Sequence, residues 1–294
     1  MIDIAATGSG KTHRDENFPV ASFLIAPRFR APILAFYDFV RAADDIADHP
    51  TLLPSEKLAL LDRLDAALLG QGADEPVAAR LRGISRERGL DPRHARDLLT
   101  AFRRDVTQPR YKDWDDLVDY CRYSAMPVGR FVLDVHGEDA AATWEANDAL
   151  CAALQIINHL QDCAKDYRGN DRVYLPADIL AAHGASALML RAAASPAPLL
   201  AAIRASVEKT SVLLDRARPF ADLIADTRLA MEVGAIHRLA QTLIARLRTA
   251  DPLKDKVHAS KAGFALTASL GASAALLRRL GGTARRRAIT GGAR

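Results

Sequence analysis

Gln155-Ile156-Ile157-Asn158-His159-Leu160-Gln161-Asp162-Cys163-Ala164-Lys165-Asp166 decides how this chain is read, together with a second stretch far upstream, Arg41-Ala42-Ala43-Asp44-Asp45-Ile46-Ala47-Asp48. Each lies in a long apolar run with no Gly or Pro inside it, the pattern of the end of a buried helix. Side chains three, four and seven apart share a helix face. Tyr37, Arg41, Asp44 and Asp48 therefore form one stripe, and Gln155, Asn158, Asp162 and Asp166 another. Both stripes are polar on otherwise apolar elements. Burying several carboxylates in one core is costly unless cations compensate them. The economical arrangement has the two stripes facing each other across metal ions. Carboxylate and amide oxygens without a Cys or His cluster suit hard Mg²⁺, which keeps waters and is usually shared with substrate phosphates.

These segments resemble the D-x-x-x-D and N-x-x-x-D-x-x-x-D motifs of the squalene and phytoene synthase family of trans-isoprenoid synthases. Asp44/Asp48 and Asn158/Asp162/Asp166 stand at the matching places, and the likeness runs from about Glu16 to about Pro176. Asp45 is one residue off the stripe and is left out of the ligand set. The resemblance implies an all-α, single-domain isoprenoid synthase bundle with a central active-site cavity, a prenyl diphosphate substrate and Mg²⁺ as cofactor. It also implies roles for further residues. An arginine at the place of Arg41 holds diphosphate in the family, which suits a planar guanidinium; as a bare charge it also balances the neighbouring acids. Arg172 and Tyr174 resemble the R-x-Y-L-P segment, here after a loop one residue longer than usual. Tyr120 to Gly129 resembles Y-C-x-x-x-A-x-x-V-G, in which Ala125, Val128 and Gly129 leave room for isoprenoid chains. Tyr120 matches a tyrosine near the reacting carbon, where an aromatic face stabilises a carbocation; core packing is its plainer reading. Tyr37 joins it as a catalytic candidate. Gln155, Gln161 and Phe18 complete the substrate-binding set. Phe18 lies in Asn17-Phe18-Pro19-Val20, where Glu16 replaces a substrate-binding lysine of some members and implies an altered second phosphate subsite.

The rest of the chain fits such a bundle. It has 294 residues, 49% hydrophobic and 26% charged, with a formal net charge of +4, an ordinary globular composition. Ala and Leu abound, which favours helices. Helices are expected over 28–48, 54–69, 92–106, 113–135 with a kink at Pro127, 138–166, from 196 to about 220, and 222–248, with a short element at Pro176. That gives roughly eight to ten helices and no strand. Gly8-Ser9-Gly10-Lys11-Thr12 mimics the end of a P-loop, but Ala5 stands where that motif needs Gly and no strand precedes it. Residues 1–15 read as a solvated N-terminus without a signal-peptide core, and 16–250 as the domain. Cys121, Cys151 and Cys163 have no disulfide or metal spacing, which fits a reducing, cytoplasmic setting. The histidines share no pattern and read as surface or core residues. In 251–294 an apolar segment, Ala262 to Leu277, precedes Arg278-Arg279 and Arg285-Arg286-Arg287. It is too short to span a bilayer. Two readings stay open, a last packing helix with a basic end or a peripheral anchor on an anionic membrane. No nucleic-acid partner is expected, and the oligomeric state is not legible.

Two function classes follow, a Mg²⁺-dependent enzyme that ionises a prenyl diphosphate and a non-catalytic helical lipid-binding protein. The opposed acidic stripes favour the enzyme. Within the family, Glu16 to Ser22, Ser124 to Arg130 and above all Gln161-Asp162 resemble the hydroxysqualene synthases of bacterial hopanoid biosynthesis. Condensing relatives usually carry Arg at the place of Gln161. A neutral residue there fits an enzyme handling one diphosphate, so the expected reaction is presqualene diphosphate plus water to hydroxysqualene and diphosphate. The alternative is head-to-head condensation of two prenyl diphosphates.

Overall fold

A computed structural model gives the architecture and describes residues 4–7, 24–257 and 260–291. Among these residues there are twelve α-helices and no strand. They are α1 (Pro27–Ala47), α2 (Pro54–Leu69), α3 (Pro76–Arg88), α4 (Arg93–Thr107), α5 (Trp114–Ser124), α6 (Met126–His136), α7 (Ala140–Asn170), α8 (Ala177–Ala182), α9 (Ala197–Arg216), α10 (Phe220–Leu223), α11 (Thr227–Leu247) and α12 (Lys261–Gly291). The chain is all-α, as expected. The segment from Gly8 to Gly10 and the stretch around Phe18 lie outside the described residues.

The central element is α7, 31 residues long, which packs against α5, α6, α9 and α11. Ala149, Ala152 and Ala153 are small enough to let neighbours approach closely, while Ile156, Ile157 and Leu160 fill the space between them. Each such aliphatic side chain contributes about 1.5–3 kcal/mol on burial. The helix outruns the expected end at Asp166 and stops at Asn170, where Asp171 takes a left-handed φ of 51°. The Arg110 guanidinium holds this residue, donating to the Asp171 carboxylate at 2.7 Å and also to its carbonyl.

Three expectations need correction. Sequence reading passed over α3, whose run of arginines hides a narrow buried stripe of Ala78, Leu81 and Ser85. Its punctuation was legible, with Pro76 in the first turn and Gly89 at the C-cap with φ 66°. The helix expected over 113–135 is two helices. Ala125, at φ −129° and ψ −47°, leaves the helical region, and Pro127 opens α6 instead of bending one continuous rod. The first turn does not use the missing N–H. The helix expected from Asp222 also divides, because Ile224 is extended and the Asp226 carboxylate caps α11, accepting from Arg228 N at 2.8 Å and Leu229 N at 2.9 Å.

Against α11 lies α12, along a seam of small residues. A Cβ on Gly271 would meet Arg238 Cβ at 2.8 Å and Ala235 Cα at 2.9 Å, and would run into the Gly234 carbonyl. A Cβ on Gly234 would meet the Ala275 Cβ and the Gly271 carbonyl, both at 2.8 Å. Backbone meets backbone here, so little can give way. Gly271→Val is expected to destabilise the protein by about 1–3 kcal/mol, the usual cost of overpacking, read as a lower urea midpoint. An unchanged midpoint would mean the seam is loose.

Candidate active site

The stripe of α1 is held by its own arginine. Arg41 pairs with Asp44 at 3.0 Å and with Asp45 at 2.5 Å, which buries Asp45. Tyr37, partly buried, sits one turn earlier on the same helix. Asp48 caps α1, and its carboxylate accepts from Arg172 Nη1 at 2.6 Å. Burial and the charge of Asp48 push the Asp44 carboxyl up to about 7, with Arg41 pulling the other way.

On α7, Gln155, His159, Asp162 and Asp166 follow one another at spacings of four, three and four, so they share a face. Gln155 Nε2 lies 3.0 Å from His159 Nε2, and His159 Nδ1 lies 3.6 Å from the Asp166 carboxylate. Lys165 approaches Asp162 at 3.6 Å. Asn158 is partly buried on the same helix. Gln161 lies off this face and is buried, with neither amide atom hydrogen-bonded among the described residues.

What joins the two stripes is Asp105, in the last turn of α4, which sequence reading missed. Its carboxylate accepts from Tyr120 Oη at 2.9 Å and Tyr174 Oη at 3.0 Å. Arg172 donates to the carbonyls of Asp105 at 3.1 Å and Ala47 at 3.2 Å besides the Asp48 carboxylate. Tyr174 stacks on His159 with ring centroids 3.4 Å apart. A continuous path therefore runs Asp48–Arg172–Asp105–Tyr174–His159–Asp166. Tyr111 packs beside it, 5.2 Å from the Tyr120 ring and 5.5 Å from that of Tyr174. Burial raises the Asp105 carboxyl, while Arg172 and the two hydroxyls draw it back. Burial, then the Asp105 charge, pushes the Tyr120 phenol far above its ordinary value. Tyr120 is thus a neutral phenol that donates, not a base.

His159, read from the sequence as a surface or core histidine, is a packed one: it stacks on Tyr174 and lies beside Asp166. Its signal was its place on the stripe of Gln155, Asp162 and Asp166. Asp105 had a signal too, sharing a face with the buried Leu98, Ala101 and Phe102.

The small residues are placed less as expected. Ala125 is buried and Val128 exposed, but the space beside Gly129 is taken. A Cβ there would meet Cys151 Sγ at 2.7 Å and run into the Asn147 carboxamide of α7. Gly129 allows α6 and α7 to touch, and leaves no room of its own for an isoprenoid chain. Phe18 lies outside the described residues. The three thiols are free, and burial raises each above its ordinary value, so they act as small packing groups.

A cavity of about 710 Å³ opens where the ends of α1, α4 and α7 meet. Its lining includes Asp105 and Arg172 together with Lys57, Arg168 and Arg191. Among the described residues no three His, Cys, Asp or Glu side chains converge as a ready cation cage. The oxygens of Asp44, Asp48, Asn158, Asp162 and Asp166 nevertheless fit Mg²⁺ in kind. That ion takes one or two carboxylates and fills its octahedron with water and phosphate.

A family model described as squalene/phytoene synthase matches residues 11–263. The chain belongs to that family. It is 56% identical over 280 residues to the hydroxysqualene synthase of Rhodopseudomonas palustris, covering 95% of each chain. It is 50% identical to that of Zymomonas mobilis, covering 92% of each. A solved squalene synthase from Alicyclobacillus acidocaldarius superposes with a TM-score of 0.69 at 30% identity, over 78% of this chain and 86% of that one.

Two outcomes are expected at this site. The folded pKa of Asp44 exceeds its unfolded value of 3.8, so protonation favours the fold. That contribution is full below pH about 4 and is lost as pH rises through about 7. Thermal melts of metal-free protein should show this decline, and Asp44→Asn should flatten it; an unaltered slope would contradict it. Separately, Asp105→Asn forfeits a charge-assisted acceptor worth about 1.5–3 kcal/mol. Turnover is expected to fall about 10- to 100-fold. A melting temperature that falls without loss of turnover would instead mark a structural residue.

Proposed function

We propose that this enzyme converts presqualene diphosphate and water to hydroxysqualene and inorganic diphosphate, in squalene and hopanoid biosynthesis in the cytoplasm. The observation that carries the reading is Gln161, a neutral, buried amide beside Asp162 with no partner among the described residues. A buried amide in that state is the usual host of an ordered water or a ligand. The curated hydroxysqualene synthases at 50–56% identity support the same reading.

On this reading Asp44, Asp48, Asn158, Asp162 and Asp166 would hold Mg²⁺, which would supply positive charge to the departing diphosphate. Arg41 and Arg172 orient phosphate oxygens. The carbon–oxygen bond breaks with its electron pair leaving on the diphosphate. Tyr120, kept neutral and oriented by Asp105, presents its ring to the cyclopropylcarbinyl cation. The cation rearranges and opens, water forms the new carbon–oxygen bond, and its proton passes to solvent. No electron donor is needed. Four cations near the cavity, Lys57, Arg168, Arg172 and Arg191, favour the alternative, condensation of two prenyl diphosphates.

Asp44→Asn and Asp162→Asn are expected to abolish Mg²⁺-dependent diphosphate release while the helical circular dichroism stays intact; near-normal release by either variant would refute the two-motif metal site. In H₂¹⁸O, presqualene diphosphate should yield alcohol carrying the heavy oxygen without NADPH. Unlabelled alcohol would exclude water capture, and efficient turnover of farnesyl diphosphate alone would establish the condensing alternative.

A further inference from the structure

A second cleft, of about 650 Å³, lies where α10, α11 and α12 meet the end of α9, and it shares no lining residue with the active-site cavity. Its origin is steric. Gly234 and Gly271 draw the backbones of α11 and α12 together. Beside that crossing Ala217, Ala221 and Ala274 are too small to fill the space, and Val233 and Leu270 complete an aliphatic wall. Sites that enclose a small molecule span roughly 300–1,000 Å³ and combine an apolar lining with a few convergent polar groups. This cleft has that make-up.

Its polar groups are mostly cationic. Arg218, Arg238 and Arg278 line it against a single carboxylate, Asp222. Arg278 answers Asp222 at 3.0 Å, and Arg218 reaches Asp215, outside the lining, at 2.6 Å. The third arginine has no acid. Among the described residues the Arg238 guanidinium hydrogen-bonds only the Gln241 amide oxygen, at a long 3.4 Å. His237 adds no charge of its own, because burial holds its pKa below the ordinary value and Nε2 is turned to the Leu214 carbonyl at 3.0 Å. One uncompensated guanidinium over an aliphatic wall calls for one anionic head on a hydrocarbon body. A bare anion would leave the wall wet, and a neutral hydrocarbon would leave Arg238 unanswered.

We propose that this cleft is a second ligand site for a small aliphatic anion, with a single carboxylate or phosphate head on Arg238 and its hydrocarbon body over Ala221, Val233 and Ala274. Such a ligand touches three helices, so it should also raise the melting temperature. Calorimetric titration of the full chain uses octanoate and octyl phosphate, each below its micelle-forming concentration, with Mg²⁺ and inorganic diphosphate present to contest the active site. At least one is expected to bind about tenfold or more tightly than acetate, which lacks the body, and than octanol, which lacks the charge. The tighter of the two names the head as carboxylate or phosphate. Arg238→Gln, at an exposed position, should weaken binding about 10- to 100-fold, and Arg238→Lys should recover part of the loss. Ala274→Phe, which fills the cleft from the exposed side of α12, should weaken it about tenfold or more. If that variant unfolds, the Arg238 pair still decides. Equal affinity in wild type and Arg238→Gln overturns the proposal. So does octanol or acetate binding as tightly as the octyl anions, or no binding of either anion.

Discussion

Three helices end at one place, and each carries acids in its final turns: Asp44 and Asp48 on α1, Asp105 on α4, Asp162 and Asp166 on α7. A helix C-terminus is already the negative end of its dipole and favours cations. Acids there oppose the dipole, and the three ends compound one another. The convergence holds because cations are built in. Arg172 follows directly on α7 and reaches the Asp48 carboxylate and the carbonyls of Ala47 and Asp105, three oxygens on two other helix ends. The Asp48 carboxylate is 40% exposed, so the ion pair alone contributes little; it is the buried guanidinium bridging both carbonyls as well that ties the helix ends together.

Asp105 shows how the same constraint sets chemistry. A carboxylate buried without partners would simply take up a proton. Two tyrosine hydroxyls and the nearby Arg172 keep its charge supportable, and in return it fixes the direction of both hydroxyls. The tyrosines then offer faces and not bases. With Tyr111 and His159 they make an aromatic wall in contact with the acidic floor. The tyrosine faces of such a wall favour a delocalised cation, and their neutral hydroxyls are poor proton acceptors.

Sequence made α1 and α7 legible because long apolar runs ended in acids at helical spacing, a pattern that solvated helices do not produce. The family likeness then supplied Arg41, Tyr120, Arg172 and Tyr174, which periodicity alone leaves as ordinary residues. What stayed hidden has local causes. In Arg103-Arg104-Asp105 the acid looks like one member of a surface charge run, and only its spacing from Leu98, Ala101 and Phe102 shows that it faces inward. His159 is masked by its apolar neighbour Leu160. Gly129 has the size expected of a substrate-facing residue, but Asn147 and Cys151, distant in sequence, occupy the space its missing Cβ leaves. The arginines of α3 conceal a helix whose buried stripe is one side chain wide.

The charge arrangement also bears on which reaction the site can serve. Arg41 is committed to Asp44 and Asp45, Arg172 to Asp48, and Lys165 approaches Asp162. Phosphate oxygens must therefore compete with internal acids for each of these cations, or arrive with metal that relieves those acids. A substrate with one diphosphate asks for that exchange once. Two diphosphates ask for it twice and have most use for a further fixed cation beside the second motif, where this chain has Gln161. Buried and unpartnered among the described residues, that amide adds no charge but has hydrogen-bonding capacity left over. On the proposed reading this is the difference between a site that must hold a second anion and one that must hold a single water near a cation without losing it to bulk solvent.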